Sequence, residues 1–213
     1  MSNYILIYKK IFFISILCSF VFLDVAPGVL DVAPEVDDTL IVDDSKDWEL
    51  LPDQQLKDLD NKRVSIHKLI EGRPTLISFW FLACEPCKKE MKYLDEFNKK
   101  YSDSGFQVIS INTDGSRALS SVEPFVDSKK YSFKVLSDPK SLYQRKLKGA
   151  SCPFTVIVDH KGRIWSRHVG YNVGDEKKLE KEILELIKFQ ETDTLKLEVK
   201  DSTSINLKNN TLN

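Results

Sequence analysis

Two cysteines three residues apart, in Cys84-Glu85-Pro86-Cys87, stand between the most continuous apolar run of the chain and its clearest amphipathic stretch. Upstream, the run from Thr75 to Phe81 is interrupted only by Ser78, which is the pattern of a central strand covered on both faces. Downstream, Met91, Leu94, Phe97 and Tyr101 recur at three- and four-residue steps until Gly105, which predicts an amphipathic helix. Strand, cysteine pair and helix in that order put Cys84 at a helix N-terminus, where the macrodipole and free N–H groups favour a thiolate. A free thiol with a pKa of about 8.5 falls to roughly 3.5–7.5 in such settings, and the thiolate is the attacking species in disulfide exchange. Cys84 is therefore the expected nucleophile. Cys87, one turn further in, is expected to resolve the mixed disulfide, with Pro86 stiffening the turn between them.

The rest of the chain supplies the frame for this pair. Leu56, Leu59, Val64, Ile66 and Leu69, split by Asp60-Asn61-Lys62, read as an N-terminal β-hairpin. Phe106 to Ile111 reads as a second buried strand, Arg117 to Lys130 as a helix kinked or restarted near Pro124, and Phe133 to Leu136 as a short edge strand. Phe154 to Val158 and Arg163 to Val169 read as a hairpin closed by Asp159-His160-Lys161-Gly162. Leu179, Ile183, Leu186 and Ile187 mark a closing helix from about Asp175 to Phe189. Alternating strands and helices predict an α/β domain over residues 48–189: a central mixed sheet flanked by helices, with the hairpin added at its N-terminus. The polar tail, 190–213, alternates Leu195, Leu197 and Val199 with charged residues, compatible with a small hairpin or with disorder.

Residues 1–23 carry Lys9 and Lys10 followed by thirteen residues, Ile11 to Leu23, broken only by Ser15 and Ser19. This length suits a signal-peptide core better than a bilayer span, and predicts export to the periplasm or cell envelope, with the segment either cleaved or kept as a membrane anchor. Cys18 is a passenger of that segment. Residues 24–47 repeat Asp-Val-Ala-Pro once and then turn acidic, which reads as an extended linker. The formal net charge of −1, from 31 basic and 32 acidic residues, offers no field for holding nucleic acid.

The stretch from Phe79 to Met91, Phe-Trp-Phe-Leu-Ala-Cys-Glu-Pro-Cys-Lys-Lys-Glu-Met, resembles the active-site segment of the TlpA/ResA-like thiol–disulfide oxidoreductases of the thioredoxin-like superfamily. The likeness runs from about Trp48 to Phe189 and includes Leu59-Asp60-Asn61-Lys62, Val135-Leu136-Ser137-Asp138, and the segment from Cys152-Pro153 to Asp159 with Gly162 after it. The resemblance implies a thioredoxin-like fold and a redox-active disulfide between Cys84 and Cys87. It also implies a cis-proline at Pro153 that, with Cys152, docks the substrate, and a proton-moving role for Glu90. Read from the helix alone, Glu90 is equally a solvated carboxylate beside Lys88 and Lys89. Two positions depart from the family pattern: Ala83 stands where a Trp is common, and Ser78 where ordinary thioredoxins carry a buried aspartate.

Zinc binding would need further ligands, and beyond the pair only Cys152 and the scattered His67, His160 and His168 are at hand, so no metal is expected. A structural disulfide closing so short a loop would stabilise little. A peroxidase reading lacks the proline and threonine expected before its cysteine. The resemblance implies an extracytoplasmic reductant without a cofactor, acting on exported disulfide-bearing proteins, for example during cytochrome c maturation. Its electrons would come from a thiol–disulfide donor in the membrane. A disulfide oxidant or isomerase is the alternative reading, followed by a copper-binding chaperone of the same fold.

Overall fold

A computed structural model describes the chain from Trp48 to Asn210, with side chains as far as Leu195. Residues 1–23, read above as an export segment and including Cys18, and residues 24–47, read as a linker, lie outside the described residues. Seven strands, β1 (Gln55–Asp58), β2 (Arg63–Ser65), β3 (Thr75–Trp80), β4 (Gln107–Asn112), β5 (Lys134–Ser137), β6 (Phe154–Val158) and β7 (Ile164–Val169), form one sheet in the order β2-β1-β5-β4-β3-β6-β7. β4 is parallel to both β3 and β5, and the remaining neighbours are antiparallel. The helices are α1 (Ile66–Ile70), α2 (Glu85–Lys100), α3 (Leu119–Lys129), α4 (Leu142–Lys146) and α5 (Asp175–Asn210). This is the mixed sheet flanked by helices that the alternation of strand and helix signals predicts.

All six residues of β3 are buried because the strand is central and both faces are covered. Its side chains alternate between two apolar layers. Leu76 and Trp80 join Met91 and Leu94 of α2 and Leu179 and Ile183 of α5, whereas Ile77 and Phe79 join Ile109, Val156 and Tyr143. At roughly 1.5–3 kcal/mol per fully buried large apolar side chain, these two layers dominate the stability of the sheet. The strand therefore holds the turn that follows it on a rigid base.

Three expectations are corrected, and one helix is added that the sequence pattern does not mark. Ile66 and Leu69 belong not to a strand but to α1, because Ser65 caps a helix there: its Oγ accepts the Lys68 N–H at 3.3 Å. β5 is not an edge, since β1 returns to pair with it through Lys57 and Asp58. Helix α4, which has no clear sequence periodicity, forms because both carboxylate oxygens of buried Asp138 accept the N–H groups of Leu142, Tyr143 and Gln144. Finally, α5 does not stop at Phe189 but continues to Asn210. No glycine or proline interrupts Asp175 to Asn210, so the backbone meets no breaker. Among the described residues no helix is long and apolar enough to cross a membrane.

Candidate active site

β3 ends at Trp80, and four residues later Cys84 is the N-cap of α2, with extended backbone at φ −84° and ψ 95°. Its Sγ accepts the backbone N–H of Cys87 at 3.3 Å, the place a capping oxygen usually takes. Glu85 and Pro86 fill the first turn, where proline forfeits no helical hydrogen bond. Cys84 and Cys87 form a disulfide, with Cα atoms 5.3 Å apart. Cys84 is 5% exposed and Cys87 is fully buried, so of the pair only Cys84 reaches the surface at all.

The turn between strand and helix is tied down from β4. Asp114 Oδ2 accepts the Leu82 N–H at 2.7 Å and also the Asn112 side-chain amide at 2.8 Å. The adjacent Thr113 donates its N–H to the Trp80 carbonyl at 2.8 Å, and its hydroxyl donates to the same oxygen at 3.1 Å. Neither Thr113 nor Asp114 is flagged by sequence pattern, because the pairing spans more than thirty residues and leaves no local signature.

Glu90 lies on the buried stripe of α2 with Cys87, Met91 and Leu94, one turn beyond Cys87. The reading as a solvated surface carboxylate is therefore excluded: Glu90 is only 4% exposed. Beneath it the sheet supplies hydroxyls rather than hydrocarbon. Ser78 is in register with Ser110 on one side and Thr155 on the other, which makes a row across three strands. Ser78 Oγ donates to Glu90 Oε2 at 3.3 Å, and Thr155 Oγ1 donates to Oε1 at 3.2 Å. Burial pushes the Glu90 carboxyl up to about 7, the two hydroxyls pull the other way, and the Asp175 charge adds to the rise. Thr155 sits inside a strand of otherwise apolar residues. Its being the one polar residue of that run, two residues after Pro153, is the signal the sequence offers.

The Cys152–Pro153 peptide bond is cis. Cys152 is a free, half-buried thiol whose Sγ accepts from Gln144 Nε2 at 3.4 Å and lies 3.8 Å from Thr113 Oγ1. Burial pushes its thiol upward, toward the neutral form. Thus Thr113 links the end of β3 to the residue before the cis-proline. The histidines are not brought together: His67 contacts the Leu51 carbonyl, His160 pairs with Asp193, and His168 with Glu182. Among the described residues no cluster of three or more His, Cys, Asp or Glu side chains could hold a metal ion.

Residues 46–183, more than half of the chain, match the Redoxin family. The thioredoxin-like protein YneN of Bacillus subtilis is 32% identical over 120 residues, covering 56% of this chain and 69% of that protein. The thiol–disulfide oxidoreductase ResA of Oceanobacillus iheyensis is 29% identical over 117 residues, 53% of this chain and 59% of that protein. Among solved structures, an uncharacterized thioredoxin-like protein from Porphyromonas gingivalis is 33% identical with a TM-score of 0.58, covering 65% of this chain and 92% of that one. The cysteine pair on its helix N-terminus, the mixed sheet and these likenesses agree: the chain belongs to the Redoxin family and is a thiol–disulfide oxidoreductase of the thioredoxin-like superfamily.

Proposed function

We propose that the chain reduces disulfides of exported proteins outside the cytoplasm, with cytochrome c maturation as the first setting to test. In the forward reaction the Cys84 thiolate attacks a partner disulfide, forms a mixed disulfide and releases one partner thiolate. The Cys87 thiol then gives its proton to Glu90, and its sulfur attacks Cys84 Sγ. The second partner thiolate leaves and Cys84–Cys87 remains as the disulfide. Two electrons pass to the partner, and a thiol donor in the membrane restores the dithiol. Cys152 and Pro153 form the backbone edge against which the partner docks.

The observation that carries this reading is Glu90, buried on the stripe that carries Cys87, held by Ser78 and Thr155, and titrating at about 7. A base poised near the working pH is what deprotonation of a buried resolving thiol calls for. The location rests on Lys9, Lys10 and the apolar run after them. ResA, a named thiol–disulfide oxidoreductase, is similar over the same region. Redox titration against glutathione tests the direction: a midpoint well below about −200 mV supports a reductant, and a midpoint near that of the strong oxidants, about −120 mV, overturns it in favour of an oxidant.

A further inference from the structure

Glu90 is buried against the sheet, yet it lines a cleft of 290 Å³ whose other lining residues come from the end of β7, the loop after it and the start of α5. Arg167 and His168 of β7, Tyr171 of the connecting loop, and Asp175 and Lys178 of α5 complete the polar part of its wall. That wall is held in place by its own hydrogen bonds. Tyr171 Oη and the Gly174 N–H both donate to Glu176 Oε2, at 2.7 and 2.8 Å, and the Asn172 N–H donates to Asp175 Oδ2 at 2.8 Å. At roughly 30 Å³ per water the space accommodates several molecules, and its polar rim gives them partners.

We infer that this cleft is the proton port of Glu90: the carboxyl exchanges its proton with solvent on the α5 side, through water beside Asp175, rather than past the cysteines. The inference rests on the reading of Glu90 as the base for Cys87. Resolution leaves on Glu90 the proton taken from Cys87; it returns to Cys87 when the donor restores the dithiol or exchanges with solvent in the interval, and the cleft is the route of that exchange. During resolution a protein partner covers Cys84, so the sulfur side is closed when the carboxyl fills. The cleft's lining includes neither cysteine of the pair nor Cys152 and Pro153. The charged and titratable groups around Glu90 are Cys84 and Cys87 on its own helix, Cys152 beside Pro153, Arg167 and His168 on β7, Tyr171, and Asp175 and Lys178 on α5, while β3 and β6 present only hydroxyls. Of these, Asp175 lines the cleft, and its charge favours the protonated form of Glu90.

Infrared spectroscopy of the oxidised full chain follows the protonated carboxyl band, assigned by its loss in Glu90→Gln, after mixing with deuterated water. The exchange is expected to slow about tenfold in Lys178→Trp, which adds bulk to the cleft wall from an exposed position on α5. It should be unchanged when a peptide is disulfide-linked to Cys84 in the Cys87→Ser chain. In Asp175→Asn the band's titration midpoint should move to lower pH, because a negative charge near Glu90 is gone. Exchange that is blocked by the peptide and indifferent to Lys178→Trp would overturn the port. Should Glu90→Gln leave the pH profile of resolution unchanged, the base assignment fails, while the exchange rates still decide where Glu90 meets solvent.

Discussion

Thr155 Oγ1 donates to Glu90 Oε1 at 3.2 Å, a bond that joins the helix bearing both cysteines to the strand that follows Pro153. The cysteine-bearing helix and the strand after the cis-proline thus share one buried carboxylate. Ser78 makes the second bond to it from β3, and the third hydroxyl of the row, Ser110, has no hydrogen-bond partner among the described residues. A carboxylate with two neutral donors in an apolar layer is only partly compensated for lost hydration, so it is held near its midpoint at neutral pH instead of being locked in either form.

That arrangement carries a stability signature. The Glu90 carboxyl titrates at 4.5 when unfolded and at about 7 when folded, so the folded chain holds a proton that the unfolded chain has lost between those values. The Glu90 contribution to stability therefore falls as pH rises from the lower value to the upper, by roughly 3 kcal/mol, and is constant on either side. Glu90→Gln removes the slope. Urea unfolding of the oxidised proteins is expected to show the variant more stable than the parent at about pH 8, with the advantage gone at about pH 4, while its resolution of mixed disulfides slows. Equal pH dependence in both proteins would remove Glu90 from the account.

Asp114 is expected to matter through the turn it holds. Asp114→Ala leaves the Leu82 N–H without its 2.7 Å acceptor and should cost about 1–3 kcal/mol in chemical denaturation. The same change should slow attack by Cys84 on a small aromatic disulfide, since the turn that presents Cys84 loses its anchor. Asp114→Asn keeps an acceptor and is expected to recover most of both losses.

Gly149 packs against the ring of Phe154, the residue after Pro153. A Cβ at this position would stand 2.4 Å from Phe154 Cδ1, inside any real contact distance, and the ring is fully enclosed by the second apolar layer. Gly149→Ala should destabilise by about 1–3 kcal/mol and weaken partner capture, as read by the thermal midpoint and by mixed-disulfide yield.

Cys152 is expected to tune the site without being essential. It is a neutral thiol tied to Gln144 and Thr113, and Thr113 reaches the Trp80 carbonyl at the start of the active-site turn. Cys152→Thr should shift the reduction potential or the lifetime of the partner complex and leave Cys84-dependent turnover measurable. Complete loss of turnover in a folded variant would give Cys152 a direct part in the reaction.

The strand, cysteine pair and helix were legible in the sequence because each is a local pattern: β3 is covered on both faces, and α2 is amphipathic. The hydroxyls under Glu90 were half legible. Ser78 stands out in an apolar run, but its pairing with Thr155 depends on β6 lying antiparallel beside β3, and strand order is not a local property. Glu90 itself shares a surface-like Lys-Lys-Glu triplet, and only its phase with Cys87, Met91 and Leu94 marks it as inward-facing. Asp114 escapes the sequence for the same reason that Phe133 to Leu136 reads as an edge strand: both depend on which distant segment returns to which strand. At the C-terminus the alternation of Leu195, Leu197 and Val199 resembled a strand, while the absence of any breaker after Asp175 was the stronger signal.

The central claim is that Cys84 attacks and Cys87 resolves, and trapping separates the two roles directly. Each single serine variant of the full chain, reduced and then mixed with a disulfide-bearing protein, is analysed by non-reducing electrophoresis and mass spectrometry. The account predicts that Cys87→Ser accumulates a mixed disulfide through Cys84 and that Cys84→Ser neither traps a partner nor reduces insulin. Trapping through Cys87 by the Cys84→Ser chain, with none by Cys87→Ser, would contradict it.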